Sequence, residues 1–119
     1  MQRADTALSR FSPIDEFGFH AKLGQSAGLA LVLFASPDCG TCRQVERRLL
    51  QAADPKIALF KVDVQQSTAL ARQYEVFHLP ALFLFRDGHY HARLDCEVTP
   101  ERLGQAIAAA LARPAEEEP

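Results

Sequence analysis

The run LALVLFA, from Leu29 to Ala35, contains no polar residue and is bounded by the breakers GQSAG before it and SPDCG after it. Its length is that of a strand, and the lack of alternation means that both faces meet apolar partners, as in the middle of a parallel sheet. Such a strand needs helices on both sides of the sheet. The rest of the chain supplies them: with 119 residues, 48% of them hydrophobic, it has the material for a single core and no room for a second domain.

Ser12, Pro13, Asp15 and Glu16 carry an N-cap, an N1 proline and first-turn acids, which predicts a helix from Ser12 to about Leu23 behind a flexible segment 1–11. From Thr41 to Ala53, Val45 and Leu49 recur at helical spacing with Leu50 beside them. Arg43, Glu46, Arg47 and Arg48 take the other side, where the three arginines read as a solvated face, and Pro55 ends the helix. IALFKVDV, Ile57 to Val64, alternates as a strand with Lys61 and Asp63 sharing a face, and Ser67 caps a short helix through Tyr74. ALFLFR after Pro80, the Asp87-Gly88 turn and HYHARLD form an antiparallel hairpin whose His89 and His91 face solvent or flank the sheet. Thr99-Pro100-Glu101 opens a last helix with Leu103, Ile107 and Leu111 as its stripe, and 113–119 reads as a disordered acidic tail.

The chemistry sits where the apolar run meets the second helix. A thiol at a helix N-terminus faces unsatisfied N–H groups and the positive end of the macrodipole, which favour thiolate, so Cys39 is the candidate nucleophile. Cys42, one turn along, can close a disulfide with it, and Gly40 gives the backbone freedom to do so. Two other readings stand beside redox cycling. The pair could be small buried hydrophobes, or half of a zinc site completed by Cys96 and His89 or His91.

LVLFASPDCGTC and FKVDVQQSTALARQYEVFHLPALFLFRDG together resemble the thioredoxin superfamily, a likeness that runs from about Leu29 to Leu111. The resemblance implies a thioredoxin-like α/β fold over 12–112, a mixed sheet of four or five strands with helices on both faces. It implies thiol-disulfide exchange through Cys39 and Cys42 with protein disulfide substrates, no cofactor beyond the cysteine pair, and a separate reductase to recharge it. It further implies that Leu79-Pro80 is cis and that the backbone before Pro80, at His78 and Leu79, pairs with an extended substrate.

Several positions depart from that pattern. Leu33 stands where the family usually has a buried carboxylate, so Cys42 lacks that general base, while Lys61 matches the lysine that accompanies it and is expected to pair with Asp63. Asp38 replaces a tryptophan and opposes thiolate at Cys39, whereas Thr41 replaces a proline and shifts the pair toward an oxidant. Cys96 falls where the family has a glycine beside the active-site surface, close enough in expectation to resolve a mixed disulfide, trap glutathione or oxidise first.

A net charge of −2 and a pI near 6.1 give no basic footprint for nucleic acid. With no apolar h-region at the start and no run long enough to span a bilayer, the reading is a cytoplasmic monomer or weak dimer away from membranes, a trimmed signal peptide being the other possibility. Three cysteines allow at most one bridge. An adaptor or chaperone-like binding module with little turnover is the second functional reading, and a glutathione-dependent enzyme of the glutaredoxin kind is the third.

Overall fold

The computed structural model describes residues 10–119, so most of the segment expected to be flexible lies outside the described residues. Its elements are β1 (Phe11–Pro13), α1 (Phe19–Gly24), β2 (Leu29–Ala35), α2 (Gly40–Ala52), β3 (Ala58–Asp63), α3 (Thr68–Gln73), β4 (Ala81–Arg86), β5 (His89–Leu94) and α4 (Pro100–Leu111). They form a five-stranded sheet in the order β1-β3-β2-β4-β5. The β1/β3 and β2/β3 pairs are parallel, and β2/β4 and β4/β5 are antiparallel.

The central place of β2 explains its unbroken apolar run. Leu31, Leu33 and Ala35 point into a cluster with Leu49 of α2 and Leu103 and Ile107 of α4. Val32 and Phe34 point the other way, into a cluster with Phe19 and Leu23 of α1 and Leu70 of α3. The second cluster is aromatic: Phe34 meets Phe83 edge-on at 5.3 Å and Phe85 meets Tyr90 at 5.6 Å, the geometry that ring quadrupoles favour.

The helix expected from Ser12 is instead a strand, a turn and a short helix. Phe11, Ser12 and Pro13 pair with Leu59, Phe60 and Lys61 of β3, and the Ile14 N–H donates to the Lys61 carbonyl at 3.0 Å. Pro13 is tolerated because it lies on an edge strand, where its missing N–H costs no ladder bond. Asp15 still caps, but its Oδ1 accepts from the N–H groups of Phe17 and Gly18 at a turn rather than at the start of a long helix. Arg10 fastens this strand to the end of α2: its guanidinium donates to the carbonyls of Leu50, Ala53, Asp54 and Ile57. Ser67 does precede α3, yet its hydroxyl accepts from the Glu16 N–H at 3.2 Å and makes no cap bond.

The hairpin turns at Asp87 and Gly88, both with positive φ (51° and 82°), as a type I′ turn requires. Glycine is needed there for space as well: a Cβ at Gly88 would lie 2.8 Å from the Leu23 carbonyl oxygen. α4 begins as its sequence indicates, with Thr99 Oγ1 accepting from the Arg102 N–H and Pro100 in the first turn. A register shift opposite Leu84/Phe85 makes His91 an extra residue in β5. His91 is therefore buried, against the expectation of a solvent-facing or flanking ring, and its Nε2 donates to the Ala110 carbonyl at 2.7 Å.

The acidic tail, expected to be disordered, lies along β5. The Glu116 N–H donates to the His91 carbonyl, Glu116 Oε1 accepts from the Arg93 N–H, and Tyr74 donates its hydroxyl to Glu118. Burial, then the Glu118 carboxylate, push the Tyr74 phenol well above its ordinary range, and burial, with Glu116 adding to it, pushes Tyr90 up to about 12. Both phenols hold their protons more tightly folded than unfolded, where the value is about 10. The stability that Tyr90 contributes is thus complete below about pH 10 and is lost as pH rises through about 12, while that of Tyr74 is lost over a range extending to higher pH. Urea midpoints at pH 8 and pH 11 should fall less for Tyr90→Phe than for the parent; equal falls would mean that the Tyr90 phenol ionises freely.

Candidate active site

β2 delivers the chain at Ala35 to the turn Ser36-Pro37-Asp38, closed by the Cys39 N–H donating to the Ser36 carbonyl at 3.2 Å. Arg43 braces the same turn by donating to the Pro37 carbonyl at 2.8 Å. Cys39 is the N-cap of α2, with extended backbone, and its Sγ accepts from the Cys42 N–H at 3.1 Å. That donor is one of the unsatisfied amides of the first turn, and it would receive the charge of a thiolate. Cys39 and Cys42 are disulfide-bonded, with Cα atoms 5.2 Å apart, inside the ordinary range for a bridge. Cys39 is half-buried and Cys42 only 1% exposed, so an incoming sulfur meets Cys39 first.

The residues between them are both exposed, and a Cβ at Gly40 would meet nothing nearer than Arg43 Nη2 at 3.9 Å, so the helix does not demand glycine there. Asp38 is exposed as well, and its Oδ2 accepts from Gln65 Nε2 at 3.0 Å. Its field on Cys39 acts through solvent, which screens it.

The Leu79-Pro80 peptide bond is cis, and Ala81, which follows it, pairs with Phe34 near the end of β2. Pro80 therefore stands at the end of the sheet from which the cysteine turn departs. Leu79 is half-buried between the two clusters, while His78 and, beyond it, Phe77 project into solvent, Phe77 at 78% exposure. In the sequence Phe77 carries no signal beyond being an aromatic residue outside any apolar period.

Cys96 packs at the margin of the same cluster as Cys39 and Leu79. Burial, and then the Asp95 carboxylate, push its thiol above the ordinary range, which keeps it protonated and a weak nucleophile. Among the described residues no group of three or more His, Cys, Asp or Glu side chains is placed to hold a metal ion.

Leu33 is wholly buried, and β3 places Lys61 opposite it. The expected Lys61–Asp63 pair does not form. Lys61 Nζ instead donates to both carboxylate oxygens of Glu46, at 3.0 and 3.1 Å, because side chains of α2 lie over that face of β3, while Asp63 Oδ1 accepts from the Gln65 N–H. Cys42, Glu46, Lys61 and Asp63 line one cavity of about 460 Å³. The sequence reads as setting Glu46 on the side of its helix away from Val45 and Leu49. Its four-residue spacing from Cys42, which puts the two on one side of α2, was the signal available.

A family model described as Thioredoxin matches residues 11–109. The chain belongs to the thioredoxin family. Among its relatives, a thioredoxin of Chlamydia pneumoniae is 37% identical over 71 residues, which are 58% of this chain and 70% of that one. Thioredoxin Y, chloroplastic, of Oryza sativa subsp. japonica is 28% identical over 112 residues, covering 92% of this chain and 64% of the relative. The oxidised mitochondrial thioredoxin 3 of Saccharomyces cerevisiae superposes with a TM-score of 0.71 at 22% identity, over 87% of this chain and 98% of that one, and shares its fold. With a Cys-X-X-Cys pair at bonding distance, this thioredoxin-family chain is a thiol-disulfide oxidoreductase in the general sense.

Proposed function

We propose that the protein reduces or exchanges disulfides in protein substrates, with Cys39 attacking and Cys42 resolving, needs no cofactor beyond the pair, and is recharged by a reductase in the cytoplasm. The observation that carries this reading is the position of Cys39 as helix N-cap, its sulfur on the Cys42 N–H and the Cys42 thiol buried behind it. The Cys39 thiolate attacks one sulfur of the substrate disulfide; a mixed disulfide forms and the other substrate sulfur leaves as thiolate. Cys42, as thiolate, then attacks Cys39 Sγ, the Cys39–Cys42 bond forms, and the second substrate sulfur leaves. Two electrons pass from the pair to the substrate. The backbone at His78 and Leu79, before Pro80, is where an extended substrate would add as a strand.

The test is a redox titration in graded dithiothreitol and glutathione buffers, with thiols alkylated and counted by mass and Cys96 followed separately. A two-electron transition of Cys39 with Cys42 at or below about −220 to −260 mV, the extracted cytosolic glutathione poise, is the result expected of a reductase. A value some 60 mV higher, about 3 kcal/mol, would turn the direction toward an oxidant or isomerase. No bridge at any poise would replace exchange with binding as the role of the groove.

A further inference from the structure

Cys42 is 1% exposed in the disulfide, and as a thiol in that buried place it must lose its proton to attack Cys39 Sγ without handing it directly to bulk water. On β2, the strand that leads into the cysteine turn, Leu33 offers no acceptor, being apolar and fully buried. Behind Cys42 is the cavity of about 460 Å³, polar enough on the side of Glu46, Lys61 and Asp63 to hold water. Of its two carboxylates, Glu46 is on the same helix one turn beyond Cys42, and its side chain is only 12% exposed. Lys61 fixes its orientation through both oxygens, and each oxygen keeps a lone pair for a further bond. Asp63 lies at the end of β3, where its Oδ1 accepts from the Gln65 N–H in an exposed setting rather than on the helix that carries Cys42.

We propose that Glu46, held by Lys61, is the proton acceptor for Cys42 in the resolving step, in place of a carboxylate on the sheet. The inference rests on the exchange reading above. In the mixed disulfide, the Cys42 S–H proton passes through cavity water to the Glu46 carboxylate. The Cys42 thiolate attacks Cys39 Sγ, the Cys39–substrate bond breaks, and the departing substrate thiolate is protonated by solvent or by the Glu46 carboxyl. Charge and electrons balance without any further reactant. Glu46 shares one side of α2 with Cys42, so its carboxylate lines the cavity from the helix side while the sheet position at Leu33 stays hydrophobic.

The experiment separates the two steps by rapid quenching against a small disulfide-containing protein, reading adduct and product by mass. In a Cys42→Ser background, Glu46→Gln should leave the rate of adduct formation within about twofold. With Cys42 present, Glu46→Gln should slow resolution by about 100-fold, the lower end of what a positioned proton acceptor supplies, and the adduct should accumulate. Glu46→Asp, which keeps the carboxylate and withdraws it by one methylene, should resolve at an intermediate rate, about tenfold below the parent. If the glutamine variant does not fold by circular dichroism, the aspartate variant still carries the test. Resolution at the parent rate in both variants would overturn the proposal, as would slowing by Asp63→Asn without slowing by Glu46→Gln. Absence of any adduct in the Cys42→Ser background would overturn the exchange reading together with it, so the two failures are distinguishable.

Discussion

Replacing Cys42 with Ser should lower turnover of protein disulfides by about three orders of magnitude or more, equivalent to ~4 kcal/mol of barrier, while leaving the first attack intact. Cys39 keeps its place as N-cap, and the amide it accepts from belongs to residue 42 whatever side chain that residue carries, so the attacking thiolate retains its stabilisation. A serine hydroxyl, with no thiolate form, cannot resolve the adduct. Chain and substrate should therefore remain joined through Cys39 in a bond that dithiothreitol releases. The companion variant Cys39→Ser should give no adduct. The alternative rescue is Cys96, which packs at the margin of the same cluster. Its thiol is held protonated by burial and by Asp95, which argues against it. Turnover surviving in Cys42→Ser and disappearing in the Cys42→Ser/Cys96→Ser double variant would sink this assignment and make Cys96 the resolving thiol.

The features legible in the sequence are those whose causes are local. The strand Leu29–Ala35, the cysteine turn, the Asp87-Gly88 hairpin and the Thr99-Pro100 helix start each depend on residues within a few positions of one another. What escaped depends on distant partners. Phe11–Pro13 becomes a strand because the edge of β3, far along the chain, is open to it, and that pairing overrides a local helix start. His91 is buried because one extra residue in β5 breaks the alternation that made it look solvent-facing. The tail is held because its backbone and carboxylates find β5 and Tyr74. Glu46 reads as one charge among the arginines on the polar side of its helix until α2 is laid over β3 and Lys61 comes into reach. Lys61 itself was singled out by resemblance, with the wrong partner, since two charges on one strand face looked sufficient to pair.

Leu33→Asp is expected to be the costliest single change near the site, at about 3–5 kcal/mol of stability at neutral pH, a large part of the ~5–15 kcal/mol typical of a domain. Leu33 has no exposure, and its side chain packs in the cluster under α2 and α4, so the substitution removes apolar contact and puts a carboxylate in its place. Lys61 lies opposite in the register but already gives its charge to Glu46, so the new carboxylate arrives without a free partner. Desolvation raises its pKa in the fold above the unfolded value of about 3.9. The folded variant then binds this proton more tightly than the unfolded chain, so the penalty is smallest below about pH 4 and grows as pH rises through the raised value. Urea unfolding of parent and variant across pH 4 to 8 reads the divergence directly. Combining Leu33→Asp with Glu46→Gln releases Lys61 for the new carboxylate, and the double variant should recover about 1 kcal/mol relative to the sum of the single changes, within the range of coupled neighbours. A pH-independent penalty would mean that the introduced carboxylate reaches water, and additivity in the double variant would mean that Lys61 cannot serve the sheet position at all, leaving Glu46 as the one carboxylate its amine can hold beside Cys42.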